Sequence, residues 1–375
     1  MVGFSTASDD GTRIIGVMKI AYFVGSLNRG GAETLLADIF SRGETLPFEA
    51  VCIYRKEGNM SEAFHCTAVP MLRLPRKHSW LLYGLRLRRL VLSQKVDIVH
   101  AQSTFNAAIA IIFLAFTRVK VVTTLHGIGF GNANPLYKRL VYRHSSRMVC
   151  VSEWERADYL RLGCCGVEDR FVVVRNGINF SKFGFARTPV AEGKTVRLCM
   201  VGNFVHEKDQ YFVCRFLKEL DSKGVPFDFY FIGREVPAYQ ICYDRCKAYC
   251  EENGLNDCVH FMGSRENVPE LLADMDAFVY CSKSETFGIA PVEAMAMGLP
   301  TFVNDLDVFV EITQQGELAV LYKTGDVEDL CNKFSDFMHH RQQYYEKAQA
   351  NASKICNLYS IAAHIDALQS LYLQI

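Results

Sequence analysis

The residues best suited to chemistry are Glu285 and Glu293, which flank a Phe-Gly-Ile turn in the stretch ETFGIAPVEAMAMGLP (285–300). Two carboxylates can work as an acid and a base, as in glycosidases, where they lie about 5 to 9.5 Å apart. Ionised carboxylates can instead accept hydrogen bonds from the hydroxyl groups of a sugar or a ribose. The amides of the turn between them can bind an oxyanion. The stretch therefore predicts either an acid–base pair or a site for a hydroxyl-rich anion.

A helix should begin directly after this turn. Pro291 suits the first turn of a helix, and Gly298 followed by Pro300 suits its end, so the pattern predicts a helix over residues 290–297. Glu293 would then lie in the first helical turn, where a carboxylate can simply complement the positive end of the helix dipole. A dipole role and a ligand role for Glu293 both remain open on these residues alone.

Two other loops are suited to an anion at a helix start. In GSLNRGGAE (25–33), the pair Gly30-Gly31 precedes a helical pattern, and glycine lets backbone amides approach a phosphate. The spacing does not fit the GxGxxG fingerprint, and an ordinary tight turn would look the same. In GNFVHEKD (202–209), Lys208 offers a point charge suited to a phosphate, although a solvated surface lysine is the plainer interpretation.

Two further patterns raise the question of a metal ion. The triplets DMD (274–276) and DLD (305–307) resemble carboxylate pairs that bind a divalent cation. Cys242, Cys246 and Cys250 recur on one face of a helical pattern but lack a fourth ligand. A stripe in the hydrophobic core is the favoured interpretation of the cysteines, and we predict no metal site.

The composition limits the class of protein. A chain of 375 residues suggests two domains, and 41 basic residues balanced by 41 acidic ones leave no electrostatic footprint for nucleic acid. Fourteen cysteines without a signal peptide indicate reduced thiols and a cytoplasmic protein. The longest apolar stretch, NAAIAIIFLAF (106–116), is too short to span a membrane.

Short β-rich runs alternate with helical stretches in two series, a rhythm typical of parallel sheets built from βαβ units. The first series comprises residues 19–25, 96–101, 120–127, 147–153 and 170–177. The second comprises residues 196–202, 227–233, 258–263, 277–282 and 300–305. We expect an α/β fold of two Rossmann-like domains. Because ligands bind beyond the carboxyl ends of parallel strands, the site should lie in a cleft between the domains.

The same patterns predict where the domains begin and end. Residues 1–17 lack periodicity and are expected to be a disordered tail or an over-extended start. Residues 18–186 would form the first domain and residues 187–356 the second, joined by a linker within 179–194. Residues 357–375 are helix-periodic and are expected to return to the first domain.

The opening stretch resembles the E-x7-E signature of the retaining glycosyltransferases of family 4 (glycosyl transferases group 1), which have the GT-B fold. The resemblance runs from Met18 over nearly the whole chain and rests also on RGGAE, DIVHAQ, TLHG, VSEWERADYLRLG, VVVRNGINFSKF and VGNFVHEKD, in the expected order. It implies transfer of a sugar from a nucleotide-sugar to an acceptor hydroxyl, with retention at the anomeric carbon. It also implies that neither metal nor cofactor is needed, the nucleotide-sugar being a substrate.

The resemblance implies a role for particular residues. Gly30 and Gly31 would face the donor diphosphate, and Lys208 would pair with it from the second domain. Glu285 would contact the donor sugar, and Glu293 would hold the nucleotide ribose. The remaining donor contacts that it implies are Asn203, Thr286, Phe287, Gly288 and Ile289.

His126 in TLHG matches the family histidine near the transferred sugar, so the implied catalytic residues are this histidine, Lys208 and Glu285. The chain departs from the family where Asn203 replaces an arginine, which removes a bidentate clamp on the diphosphate. The candidates to compensate for it are Arg29, Arg234 and Arg265.

The partner and the exact activity are open at this stage. WLLYGLRLRRLVLSQK (80–95) predicts a basic amphipathic helix that could lie on anionic lipid at the inner membrane face, or equally a half-buried surface helix. The implied acceptor is a glycan or a lipid-linked glycan, and no nucleic acid is expected. The alternatives are a GT-B nucleotide-sugar epimerase and a catalytically weak nucleotide-sugar-binding subunit.

Overall fold

The computed structural model of the protein describes residues 17–28, 30–76, 79–125, 135–162, 166–183 and 195–375. Within them, thirteen strands form two sheets in which every neighbouring pair of strands is parallel. The predicted architecture of two Rossmann-like domains, the GT-B arrangement, is confirmed.

The first sheet has seven strands in the order β3-β2-β1-β4-β5-β6-β7. They are β1 (Lys19–Ser26), β2 (Glu49–Lys56), β3 (Met71–Arg73), β4 (Ile98–Ala101), β5 (Lys120–Thr124), β6 (Arg147–Cys150) and β7 (Phe171–Val173). The second sheet has six strands in the order β10-β9-β8-β11-β12-β13. They are β8 (Val196–Val201), β9 (Phe227–Ile232), β10 (Val259–Phe261), β11 (Ala277–Tyr280), β12 (Thr301–Asn304) and β13 (Val320–Tyr322).

Helices cover both sheets. Those of the first domain are α1 (Gly31–Phe40), α2 (Ser61–His65), α3 (Trp80–Ser93), α4 (Thr104–Leu114), α5 (Pro135–His144) and α6 (Glu153–Arg161). The remaining helices are α7 (Gln210–Ser222), α8 (Gln240–Glu252), α9 (Val268–Ala273), α10 (Ile289–Ala296), α11 (Asp307–Ile312), α12 (Val327–His339), α13 (Arg341–Tyr359) and α14 (Ile361–Leu373).

Three strands were not predicted from the sequence. β3 and β13 are three-residue strands at sheet edges, too short to show a period. β2 carries four consecutive buried residues, Val51 to Tyr54, between charged ends. That apolar run is an ordinary signal for a strand buried on both faces, so β2 could have been identified.

The last helix packs on the first domain. Ile361, Leu368 and Tyr372 of α14 are buried in the same core as Tyr22 of β1. The hydroxyl of Tyr372 lies 2.6 Å from Nδ1 of His100, inside that core. Helix α14 begins at Ile361, later than the predicted start at residue 357. Residues up to Tyr359 belong to the preceding helix, α13. The predicted domain boundary at residues 186 and 187, and residues 1–16, lie outside the described residues.

A carboxylate of the second domain binds the start of a helix in the first. Glu311 of α11 accepts hydrogen bonds from the amides of Glu153 and Trp154 at 3.1 Å each, at the N-terminus of α6. It also pairs with the guanidinium of Arg175 at 3.2 Å. An anion at a helix N-terminus is stabilised by the free amides and the helix dipole. Glu311 therefore joins the two domains.

Replacing Glu311 by alanine is expected to lower the free energy of unfolding by about 2 kcal/mol, because it removes charge-assisted bonds from a helix start. Urea or thermal unfolding measures the change. Glu317→Ala is the control, since Glu317 is an exposed carboxylate paired with Lys354 at 2.8 Å and surface pairs contribute little. Equal, small effects in the two variants would contradict the interdomain role of Glu311.

Candidate functional site

A cleft of about 730 Å³ opens between the two domains, at the carboxyl ends of their strands. Nine of the donor-site residues that the sequence predicts line it: Gly31, Asn203, Lys208, Glu285, Thr286, Phe287, Gly288, Ile289 and Glu293. Gly30 is the residue before α1 and lies next to the cleft wall. His126 lies outside the described residues.

The turn before α10 requires glycine at position 288. Gly288 has a φ of +89°, and a Cβ added there would lie 2.7 Å from the ring of Phe309. The amides of Phe287, Gly288 and Ile289 donate no hydrogen bond to any described group. Since they line the cleft, they are available to an anionic ligand.

Helix α10 begins at Ile289, one residue earlier than predicted. Glu293 is therefore the fifth residue of the helix, beyond its first turn, and no acidic residue occupies that turn. This position does not favour Glu293 as a simple complement to the helix dipole, because the dipole effect fades within the first turn.

Lys208 and Glu285 form an ion pair on one wall of the cleft, with about a sixth of each side chain exposed. The backbone of Lys208 forms a bridge with Ser282, which brings the loop after β8 against the loop after β11. Tyr280, at the end of β11, donates its hydroxyl to Glu285 Oε2 at 3.1 Å. The sequence predicts separate roles for Lys208 and Glu285 and does not predict this pairing.

Glu293 also lines the cleft, and among the described residues no cation pairs with it. Burial, and to a smaller extent the carboxylate of Asp38 on α1, together raise its pKa from 4.5 to about 7. A carboxyl group whose pKa is shifted close to neutral pH in this way is a candidate for a functional role.

Asn203, at the position of the family arginine, holds the neighbouring loop. Its Oδ1 accepts a hydrogen bond from the amide of Arg234 at 3.1 Å. The side chain of Arg234 is exposed and does not line the cleft, whereas Arg265 does. Arg29 lies outside the described residues. Of the described candidates, Arg265 is therefore the one placed to replace the missing guanidinium.

The first domain contributes polar residues that the sequence analysis did not single out. Glu33, Gln102 and Asn176 line the cleft opposite Lys208. Burial raises the pKa of Glu33. Gln102 follows β4, and Asn176 follows β7, so both lie at carboxyl ends of parallel strands. That location is the signal that could have identified them.

The aspartate triplets are engaged within their own domain. Asp276 Oδ2 accepts from the amide of Arg197 at 2.7 Å, and Asp305 Oδ1 accepts from the amide and hydroxyl of Thr324 at 2.8 and 2.7 Å. Cys246 and Cys250 are buried in the core of the second domain. Within the described part of the chain, no group of three His, Cys, Asp or Glu side chains is arranged to hold a metal ion.

The fold and the cleft define the class of GT-B proteins, and comparison with known families agrees. The model of "Glycosyl transferases group 1" matches residues 185–355, and that of "Glycosyltransferase Family 4" matches residues 29–182. Together they cover both domains. The chain belongs to the group 1, family 4 glycosyltransferases.

Similar proteins come from several organisms. A putative colanic acid biosynthesis glycosyltransferase of Salmonella typhimurium is 23% identical over 60% of this chain, and the match spans 56% of its own length. The UDP-Gal:alpha-D-GlcNAc-diphosphoundecaprenol alpha-1,3-galactosyltransferase of Escherichia coli is 21% identical over 77% of this chain and 78% of its own. Anabaena HepE, solved in complex with UDP, superposes with a TM-score of 0.83 over 96% of this chain and 100% of its own, at 17% identity.

Proposed function

We propose that the protein transfers a sugar from a nucleoside-diphosphate sugar to a hydroxyl group of a glycan or lipid-linked acceptor, with retention at the anomeric carbon. The observation that carries the proposal is the grouping of Lys208, Glu285 and the amides of the 287–289 turn on one wall of the interdomain cleft. A cation and amides suit a diphosphate, and carboxylates suit sugar hydroxyls.

In this proposal, the bond between the anomeric carbon and the diphosphate oxygen breaks while the acceptor oxygen bonds to the same face of that carbon. The acceptor's proton passes to the leaving phosphate. Lys208 and the turn amides stabilise the charge that develops on the leaving oxygen, a type of stabilisation that strengthens in the transition state. Glu293 accepts the ribose hydroxyls, and Glu285 accepts those of the sugar.

Isothermal titration with a panel of nucleotide-sugars, followed by product analysis with and without acceptor sugars, tests the proposal. UDP and UDP-sugars come first, because the Anabaena neighbour was solved with UDP and the E. coli relative is named for UDP-Gal. An α-linked product from an α-linked donor supports retention. Conversion without acceptor would instead indicate an epimerase, and binding without any conversion would indicate a binding subunit.

We also propose that the transfer needs no metal ion, because Lys208 and the turn amides already meet the diphosphate charge. Turnover should then persist in excess EDTA. Loss of turnover in EDTA, with recovery on adding Mg²⁺ or Mn²⁺, would contradict this part of the proposal.

The exposed surface of α3 suggests where the protein contacts the membrane that carries a lipid-linked acceptor. Leu81, Leu82 and Leu85 are about half exposed, and Arg86 and Arg89 are exposed beside them. Leucines with neighbouring arginines suit the interface of an anionic membrane. None of the described helices is both long enough and apolar enough to cross a bilayer. We propose peripheral binding at the inner membrane face, with the enzyme otherwise cytoplasmic.

Sedimentation with liposomes tests this surface. The double variant Leu81→Glu/Leu85→Glu should bind vesicles containing anionic lipid at least about tenfold more weakly than the unaltered protein, since it removes two apolar contacts and adds repulsion. Ile241→Glu on α8 is the control, because Ile241 is equally exposed but belongs to the second domain. Equal binding by all three proteins would overturn the assignment of α3.

A further inference from the structure

We propose that Tyr280 is a positioning residue, which holds Glu285 in place when Lys208 turns from that carboxylate to the donor diphosphate. The inference rests on the proposed function, since it concerns the same cleft. Nothing in the sequence distinguishes Tyr280 from the apolar residues that precede it in strand β11, such as Val279.

The phenol group of Tyr280 is hydrogen-bonded to Glu285, and neighbouring aromatic rings restrict its movement. Its hydroxyl donates to Glu285 Oε2 at 3.1 Å, and its ring centroid lies 5.2 Å from Lys208 Nζ. The residue is 2% exposed, and its ring packs edge-on against Phe309 at 5.7 Å and parallel to Phe278 at 5.9 Å. One side chain therefore touches both charged groups of the pair and has little freedom to move.

The arrangement has a consequence when a diphosphate enters. Glu285 Oε2 accepts hydrogen bonds from both the ammonium of Lys208 and the hydroxyl of Tyr280. A diphosphate attracts the ammonium, and a largely buried carboxylate that loses its counter-ion is unfavourable unless other donors remain. The hydroxyl of Tyr280 remains, and the amide of Thr286 lies 3.4 Å from Oε1. Glu285 thus keeps its orientation and presents its free lone pairs to the sugar hydroxyls.

Tyr280→Phe removes the hydroxyl and leaves the ring. Because a hydrogen bond to a charged group is a strong one, we expect kcat with the nucleotide-sugar to fall at least about tenfold. The dissociation constant of bare UDP, which has no sugar for Glu285 to hold, should change less than about threefold. Tyr345→Phe is the matched control: Tyr345 is equally buried in the same domain and donates to the backbone carbonyl of Asp276 at 2.8 Å.

A double-mutant cycle separates positioning from a general effect on stability. Tyr280→Phe and Glu285→Ala are combined, and both kcat/KM and the midpoint of thermal unfolding are measured for all four proteins. If Tyr280 acts through Glu285, Tyr280→Phe should have almost no further effect once Glu285 is alanine. Tyr345→Phe should have the same effect in either background.

Two outcomes would overturn the inference: a Tyr280→Phe enzyme with unaltered kcat, or strictly additive effects of Tyr280→Phe and Glu285→Ala. The thermal cycle needs no substrate, so it decides whether Tyr280 holds Glu285 even if no nucleotide-sugar supports transfer. Failure of the proposed function would appear in the unaltered protein itself, as an absence of transfer with every donor tested. The two failures are therefore distinguishable.

Discussion

Replacement of Lys208 by alanine is expected to lower kcat by about 10²- to 10³-fold while the fold stays intact. The effect is that of removing a preorganised donor from the position where negative charge develops. Asn203 stands where the family has an arginine, and Arg265 lines the same cleft, so part of the diphosphate charge should still be met in the variant and the loss should stay within this range. Turnover with the donor identified by titration measures it.

Lys283→Ala is the control for this variant. Lys283 belongs to the same loop region, is 60% exposed and lies 3.7 Å from Asp209, but it does not line the cleft. Its replacement should leave kcat within about twofold of the unaltered enzyme, as is usual for exposed lysines. Near-normal turnover of Lys208→Ala, or equal losses in both variants, would show that Lys208 has no specific role in the reaction.

Glu293→Gln is expected to change stability and nucleotide affinity in opposite directions. Burial and Asp38 hold the pKa of Glu293 at about 7, above its value of 4.5 in an unfolded chain. The ionised carboxylate therefore destabilises the folded protein at pH 8, by at most about 3 kcal/mol. Glutamine is neutral and of similar size, so the variant should unfold at higher temperature at pH 8. Its affinity for UDP should fall, because an amide oxygen accepts ribose hydroxyls less strongly than a carboxylate.

The pH dependence follows from the direction of the shift. Between about pH 4.5 and 7 the folded state binds more protons at Glu293 than the unfolded state does, so this group makes stability decrease as the pH rises. The stability difference between Glu293→Gln and the unaltered protein should be near zero at pH 4.5 and reach its maximum above pH 7. Thermal unfolding from pH 4.5 to 8 measures it.

The affinity for UDP supplies an independent check. In the unaltered protein it should weaken as the pH is lowered through about 7, because ribose hydroxyls donate to the ionised carboxylate. Glu293→Gln should lack this dependence. Unaltered affinity together with unaltered stability would show that Glu293 neither contacts the nucleotide nor carries a shifted pKa.

The fold could be predicted because most of its elements carry their own signal in the sequence. The strand β8 is an apolar run before a glycine, and the limits of α10 follow from Pro291 and Gly298 to within a residue. Edge strands such as β3 cannot be predicted in this way, since three residues are too few to show a periodic pattern. The segment of His126 lies outside the described residues, so its role stays a prediction.

The site could be predicted only in part, because its pairings join distant parts of the chain. Lys208 and Glu285 are 77 residues apart in sequence, and nothing local to either predicts an ion pair. The carboxylate of Asp38 in the first domain raises the pKa of Glu293 in the second. Tyr280 looks like any buried strand residue, since its hydroxyl becomes informative only beside Glu285. The first and the last of these pairings follow from the packing of loops within the second domain, and the pairing of Asp38 with Glu293 follows from the packing of the two domains, so no motif reveals them.

Helix α14 has a consequence for the order of events during synthesis. It is the last helix of the chain, yet Leu368 and Tyr372 complete the core beneath β1, one of the first strands to be made. A nascent chain that has emerged only to residue 360 leaves part of that face of the first sheet uncovered, because α1 packs on the rest of it. Domains usually fold as they leave the ribosome, the N-terminal one first. Here the first domain can begin folding early but cannot close its core until the second domain has been translated.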